Sequence, residues 1–264
     1  MSSSACVVVK TRNASDIVIE EEVRIGVQPH SRARRAFVGK LALLGDSGVG
    51  KTQFATALQS PYDETFVSID HLPGVASTSG VQFTILQMAI GTDTLYRMQV
   101  WDTAGQERFH SMLPMYTRDS AGIILMYDIA DQKTFDSIEE RWIPFIEEHI
   151  RAPQPPIMLV GNKLDLDYVR AISQRQAQQF AFARGWHYAE TTALFRATVH
   201  KAAAELCAHM FYASMRLHRA REIVITPEML QMPLSRTTAA TTTKTHREIL
   251  AEQESRRRKG ACCY

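Results

Sequence analysis

The chain has 264 residues, of which 45% are hydrophobic and 22% charged, enough apolar material for one sizeable α/β domain with tails or for two small domains. Its formal net charge of +2 gives no reason to expect a nucleic-acid partner. The four cysteines, at positions 6, 207, 262 and 263, are spaced for neither a disulfide framework nor a zinc-binding set.

Residues 1–35 mix serine with an acidic run, Glu20 to Glu22, and a basic run around Arg32, Arg34 and Arg35. Such a mixture predicts a flexible N-terminal extension, with Val7 to Val9 as a candidate edge strand. The opening residues lack a basic start followed by a long apolar run, so the chain reads as cytosolic, and no stretch approaches the roughly 20 apolar residues of a membrane span. From residue 37 the pattern becomes regular. Strands are expected at 37–44, 81–90, 95–101, 122–128, 156–161 and 187–190, and helices at 134–150, 173–184 and 198–217. The last helix carries Val199, Leu206, Met210 and Phe211 on one stripe, and Cys207 reads as a buried thiol beside it. Strands alternating with helices imply a mostly parallel sheet covered on both faces, with ligands beyond the carboxyl ends of its strands. Past residue 221, Pro227, Pro233 and the threonine-rich stretch 237–245 indicate a flexible tail. The organisation is thus an extension (1–35), one domain (36–220) and a tail (221–264).

Gly45-Asp46-Ser47-Gly48-Val49-Gly50-Lys51-Thr52 follows the first strand and opens a helix. Glycines let the backbone wrap a phosphate chain so that successive amides point at its oxygens, and the helix amino terminus adds its positive end. Lys51 is placed to reach the outer phosphates, and the Thr52 hydroxyl to coordinate Mg2+. The motif specifies a nucleoside triphosphate without naming its base. Asn162-Lys163-Leu164-Asp165 supplies that, because the Asp165 carboxylate can accept two hydrogen bonds from the N1–H and exocyclic amine of guanine, a donor pair adenine lacks.

With these two motifs in place the chain resembles the Ras superfamily, and its Rab branch in particular, over residues 37–217. Trp101-Asp102-Thr103-Ala104-Gly105-Gln106-Glu107-Arg108-Phe109 matches the Rab second switch, and Ser77-Thr78-Ser79-Gly80 resembles the end of the first. Glu190-Thr191-Thr192-Ala193 is similar to the second base-contacting loop. The resemblance implies a P-loop GTPase fold: an α/β, six-stranded, mostly parallel sheet with one antiparallel edge strand and helices on both faces, covering residues 36–220.

Roles follow where residues match. The resemblance implies that Thr78 closes on Mg2+ and the γ-phosphate, that Asp102 holds Mg2+ through water, that the Gly105 amide senses the γ-phosphate and that Gln106 orients the attacking water. Together with Lys51, Thr78 and Gln106 form the expected catalytic set. Asn162, Lys163, Asp165, Thr192, Ala193 and Leu194 would surround the guanine, with Tyr62 packed edge-on against it. Two departures stand out. Residues 67–76 lengthen the first switch around Pro73-Gly74, and Leu194 replaces the family's usual lysine beside the base. No arginine is placed to act in cis. Hydrolysis is therefore expected to be slow and to be accelerated about 10³–10⁵-fold by an arginine from an activating protein.

The chain ends Arg256-Arg257-Arg258-Lys259-Gly260-Ala261-Cys262-Cys263-Tyr264. Cys262 and Cys263 form a Rab-type signal for two geranylgeranyl groups, and each nearby basic residue adds about 1 kcal/mol of attraction to an anionic leaflet. The implied partners are effectors, an exchange factor, an activating protein, a GDP-dissociation inhibitor and a prenylation escort. The implied location is the cytoplasmic face of an intracellular membrane, with a cytosolic GDP-bound pool and a monomeric core. A scaffold that holds GTP without useful turnover is the rival reading; an ATP-dependent P-loop enzyme fits Asp165 poorly.

Overall fold

The computed structural model describes residues 5–12, 18–25, 35–60, 81–90, 94–103, 113–150, 152–217 and 221–223. Six strands form the heart of the sheet: β3 (Arg35–Gly45), β4 (Val81–Ile90), β5 (Thr94–Thr103), β6 (Gly122–Asp128), β7 (Ile157–Asn162) and β8 (His187–Thr191). They lie in the order β4-β5-β3-β6-β7-β8, all neighbours parallel except the antiparallel β4–β5 pair. This is the six-stranded, mostly parallel arrangement expected from the sequence.

β6 and β7 are buried at every position, as strands covered on both faces must be. Their side chains alternate between two cores. Ile124 and Met126 face one with Phe54 and Leu58 of α1 (Lys51–Gln59) and with Val199, Leu206 and Met210 of α6 (Arg196–Leu217). Ile123, Leu125 and Tyr127 face the other, with Phe135, Ile138, Trp142 and Ile146, and with Ala177 and Ala181 of α5 (Gln174–Ala183). Cys207 is free and buried, as its place on the α6 stripe requires. A short α2 (Leu113–Thr117) precedes β6, and no described helix is long and apolar enough to cross a membrane.

Three expectations are corrected. Residues 1–35, read as flexible apart from a candidate edge strand at Val7 to Val9, contain β1 (Ala5–Arg12), which includes that patch, and β2 (Val18–Ile25), an antiparallel pair that joins the sheet through Val23–Ile25 against Met88–Ile90 of β4. β4 is therefore not the edge, and β1 and β2 also run against α6. Within the tail, β9 (Arg221–Ile223) pairs antiparallel with residues 36–38 of β3. These additions bring the sheet to nine strands and attach at the ends of β3 and β4 remote from the phosphate loop.

The single helix expected over 134–150 is the third correction. It is divided into α3 (Gln132–Ser137), a π-helical turn (Ile138–Trp142) and α4 (Ile143–His149). Pro144 lies in the first turn of α4 and has no amide hydrogen to continue the ladder. The preceding turn widens, and the Ile143 amide donates to the Ile138 carbonyl instead.

Candidate functional site

The carboxyl ends of β3, β5, β6, β7 and β8 converge on one rim of the sheet. Register fixes this: Asp102 stands opposite Leu43, and Asp128, Asn162 and Thr191 lie side by side across three strands. Gly45 ends β3 with φ 138°, where an added Cβ would lie 2.3 Å from the Met126 carbonyl oxygen. Gly50 has φ 98°, and a Cβ there would lie 2.3 Å from Asn162 Nδ2. Both positions combine a left-handed backbone with close approach, so only glycine fits. Between them Ser47 and Gly48 are exposed on the loop rim while Val49 is fully buried and anchors it.

Lys51 turns its ammonium back into the loop, donating to the carbonyls of Gly45 (2.8 Å) and Asp46 (2.7 Å). Burial is the main reason its pKa falls to about 8; Asp102 and Asp46 oppose the shift, and Arg141 adds to it. Asp102 is buried beside it, and desolvation lifts its carboxyl to about 6 against the pull of the Thr52 hydroxyl and Lys51. Among the described residues neither Asp102 oxygen makes a hydrogen bond of ordinary geometry, although Thr52 is close enough to favour the ionised form. A buried carboxylate short of donors among the described residues, next to a hydroxyl on a phosphate-binding turn, is an all-oxygen donor set of the kind a hard divalent cation takes. Thr52 and Asp102 thus fit the Mg2+ role.

The base-side residues are joined by direct bonds. Asn162 donates through Nδ2 to the Val49 carbonyl (2.8 Å) and accepts from the Thr191 hydroxyl at Oδ1 (3.0 Å). Lys163 takes a left-handed conformation (φ 65°), and its ammonium pairs with Asp128 at 2.7 Å. The Thr192 hydroxyl donates to Asp165 Oδ1 and accepts from the Leu194 amide (3.2 Å). Ala193 is buried between them, 8% exposed. A carboxylate held by one loop and backed by a hydroxyl from another is set to read a ligand edge carrying two adjacent donors.

A Ras-family model matches residues 40–212. The chain belongs to the Ras family. Over 167 residues it is 36% identical to the Ras-related protein Rab-8B of Homo sapiens, an overlap of 63% of this chain and 75% of that one. It is 35% identical over 175 residues to the Ras-related protein RABA1h of Arabidopsis thaliana, covering 66% and 75% of the two chains. The same identity and length hold for the Ras-related protein Rab11B of Nicotiana tabacum, at 66% and 76%. This chain is a Rab-type small GTPase, an enzyme that hydrolyses GTP.

In this GTPase the structure brings together Asp46 to Thr52, Asp102, Asn162, Lys163, Asp165, Thr192, Ala193 and Leu194. Tyr62, Thr78, Gly105, Gln106, Cys262 and Cys263 lie outside the described residues.

Several supporting residues were not anticipated. Trp142 donates through its indole N–H to Asp46 Oδ1 (2.9 Å), with the Arg141 guanidinium 3.5 Å from the same oxygen; the π-helical turn delivers both. Arg170 grips Glu190 with two bonds (2.7 and 2.9 Å), and the Tyr188 hydroxyl donates to the same carboxylate (2.7 Å). Burial and its tyrosine and Glu190 neighbours push Tyr188 far above the ordinary phenol range, so it acts as a permanent donor. Glu190 immediately precedes Thr191, so this clamp fixes the strand end that carries the base loop. No motif announces these partners: Trp142 and Asp46 are 96 residues apart in sequence, and Arg170 and Glu190 are 20 apart.

Proposed function

We propose that this GTPase is a membrane-recruited switch, bound to effectors of vesicle traffic in the GTP state and released from them after hydrolysis. The observation that carries the reading is the bond from Asn162 to the Val49 carbonyl, which makes one unit of a phosphate cradle and a guanine-reading carboxylate. Affinity for the phosphates and selection of the base then support each other.

In this reading Thr52, Asp102 and Thr78 hold Mg2+, which neutralises charge on the β- and γ-phosphates when bound. Lys51, now donating to loop carbonyls, transfers its ammonium to phosphate oxygens of the nucleotide. Gln106 orients the attacking water and the Gly105 amide reports whether the γ-phosphate is present. Tyr62 packs against the base, and Lys163 and Ala193 flank it. Loss of the γ-phosphate frees both switch segments, and partners read that change. An exchange factor, an activating protein and a GDP-dissociation inhibitor act on this cycle. Cys262 and Cys263, lipidated through a prenylation escort, attach the chain to the cytoplasmic face of an intracellular membrane beside the basic run 256–259.

Single-turnover hydrolysis of bound GTP by the full chain tests the switch, with Gln106→Leu as control. The full chain is needed because β1, β2 and β9 belong to the sheet. Slow turnover that falls in Gln106→Leu supports the proposal. Tight GTP binding with no turnover in either protein would make the chain a nucleotide-holding scaffold.

A further inference from the structure

On the face of β8 turned to α6, three side chains with metal-ligating atoms meet outside the nucleotide site: His187 from β8, and Glu205 and His209 from α6. One ligand atom of each lies within 4.8 Å of the other two. Glu205 and His209 are four residues apart on one helix, which stacks them on the same face. His187 begins the strand whose far end carries Thr191, about 13 Å away at strand rise. All three are half-buried, between core neighbours such as Ala204, Leu206, Cys207, Ala208 and Met210, so the site is enclosed yet reachable from solvent.

Two observations show that protein neighbours alone do not satisfy this cluster. Glu205 is half-buried and makes no hydrogen bond or ion pair with any described residue. The two imidazoles stack face to face, centroids 3.8 Å apart and planes 24° from parallel, with no carboxylate in ion-pair contact among the described residues. A half-buried carboxylate beside two rings that give it no donor is costly unless a cation joins them. Burial holds His209 down at about 4 and lowers His187 as well, so both rings are neutral near pH 7 and each offers a lone pair.

We propose that His187, Glu205 and His209 form a binding site for a borderline divalent transition ion of the zinc class, clipping β8 to α6. Two imidazole nitrogens and one carboxylate oxygen are a donor set suited to zinc, with a fourth position left for water. The same set disfavours Mg2+ and Ca2+, which take oxygen ligands. Tetrahedral ligands at zinc distances are separated by about 3.3 Å, so the three atoms need to close by at most about 1.5 Å. One ring swings out of the stack so that the lone pairs converge. The site does not depend on the nucleotide reading, since among the described residues no hydrogen bond or ion pair joins His187, Glu205 or His209 to the phosphate or base loops.

The test titrates Zn2+ alone into the full GDP-bound chain against a chromophoric chelator, with excess Mg2+ and with Cys262→Ser and Cys263→Ser to silence the tail thiols. The parent is expected to take up one Zn2+ that His187→Ala and His209→Ala fail to bind, and that Glu205→Gln binds at least about tenfold more weakly. Zn2+ should raise the Tm of the parent and leave the histidine variants unmoved. Equal Zn2+ uptake and equal thermal response in parent and variants overturns the proposal, as does Zn2+ uptake that Mg2+ abolishes. If the histidine variants fold poorly, Glu205→Gln, which preserves shape, decides the question alone.

Discussion

Asn162, the last residue of β7, donates its side-chain amide to the carbonyl of Val49, 113 residues earlier in the phosphate loop, at 2.8 Å. The amide is buried, and its oxygen is occupied by the Thr191 hydroxyl of β8. One side chain thus joins two strand ends to the phosphate loop. It also explains why residue 50 is glycine, since a Cβ there would occupy the space of the Asn162 amide.

Asn162→Ala leaves the Val49 carbonyl and the Thr191 hydroxyl without a partner. The expected cost is about 1–3 kcal/mol, seen as a lower urea midpoint. Release of bound GDP should quicken at least about tenfold, since that needs only about 1.4 kcal/mol. An unchanged midpoint with unchanged release would mean that the loop is held by other contacts.

Burial raises the Asp102 carboxyl to about 6 from 3.8. The folded chain then keeps a proton that the unfolded chain loses, so this group's contribution to stability falls as pH rises from about 3.8 to about 6. Mg2+ competes with that proton. Retention of GDP by Mg2+ is expected to be steady above pH 6 and to need about tenfold more Mg2+ for each unit below it. In Asp102→Asn the pH step should vanish, and nucleotide release followed from pH 5 to 8 checks both curves. A step that persists in the variant would assign it to another group.

Thr192→Val keeps the shape of the side chain but removes the hydroxyl that donates to Asp165 and accepts the Leu194 amide. Losing a hydrogen bond to a charged group should weaken GTP binding by about 10- to 100-fold, with little change in unfolding midpoint. Asp165→Asn is expected to shift preference from guanine to xanthine nucleotides, and retained guanine preference would remove the base assignment. Competition binding with the two nucleotides measures both variants.

Arg170→Ala leaves Glu190 with its charge uncompensated, in a place where its side chain is only 7% exposed. The expected destabilisation is about 3–5 kcal/mol, read from urea unfolding. Arg170→Lys should recover only part of it, because an ammonium cannot make the two parallel bonds of the guanidinium. A midpoint within experimental error of the parent would show that Tyr188 alone suffices.

The six central strands were legible because β3, β6 and β7 are near-continuous apolar runs that only a doubly covered sheet uses. Of the β1–β2 pair only the Val7 to Val9 patch of β1 was legible, as an edge strand; β2 was not, because Glu20 to Glu22 within it resemble a solvated charge run. β9 is three residues long, too short to carry a period. The π-helical turn had a local cause in Pro144, but apolar spacing alone favoured one unbroken helix.

By itself the sequence determined the chemistry of binding. Gly45 to Thr52 and Asn162 to Asp165 are contiguous, and each draws its role from neighbours a few bonds away, so spacing along the chain is spacing in space. The tertiary structure decided what holds these segments in register. Trp142 with Asp46, Asn162 with Val49, Arg170 with Glu190, and His187 with His209 meet only because strands separated in sequence end on one rim and helices pack across them. Such pairs leave no local pattern, since each partner alone looks like an ordinary polar or aromatic residue. Their geometry is fixed by parallel-strand register and helix packing, which exist only once the whole sheet has formed.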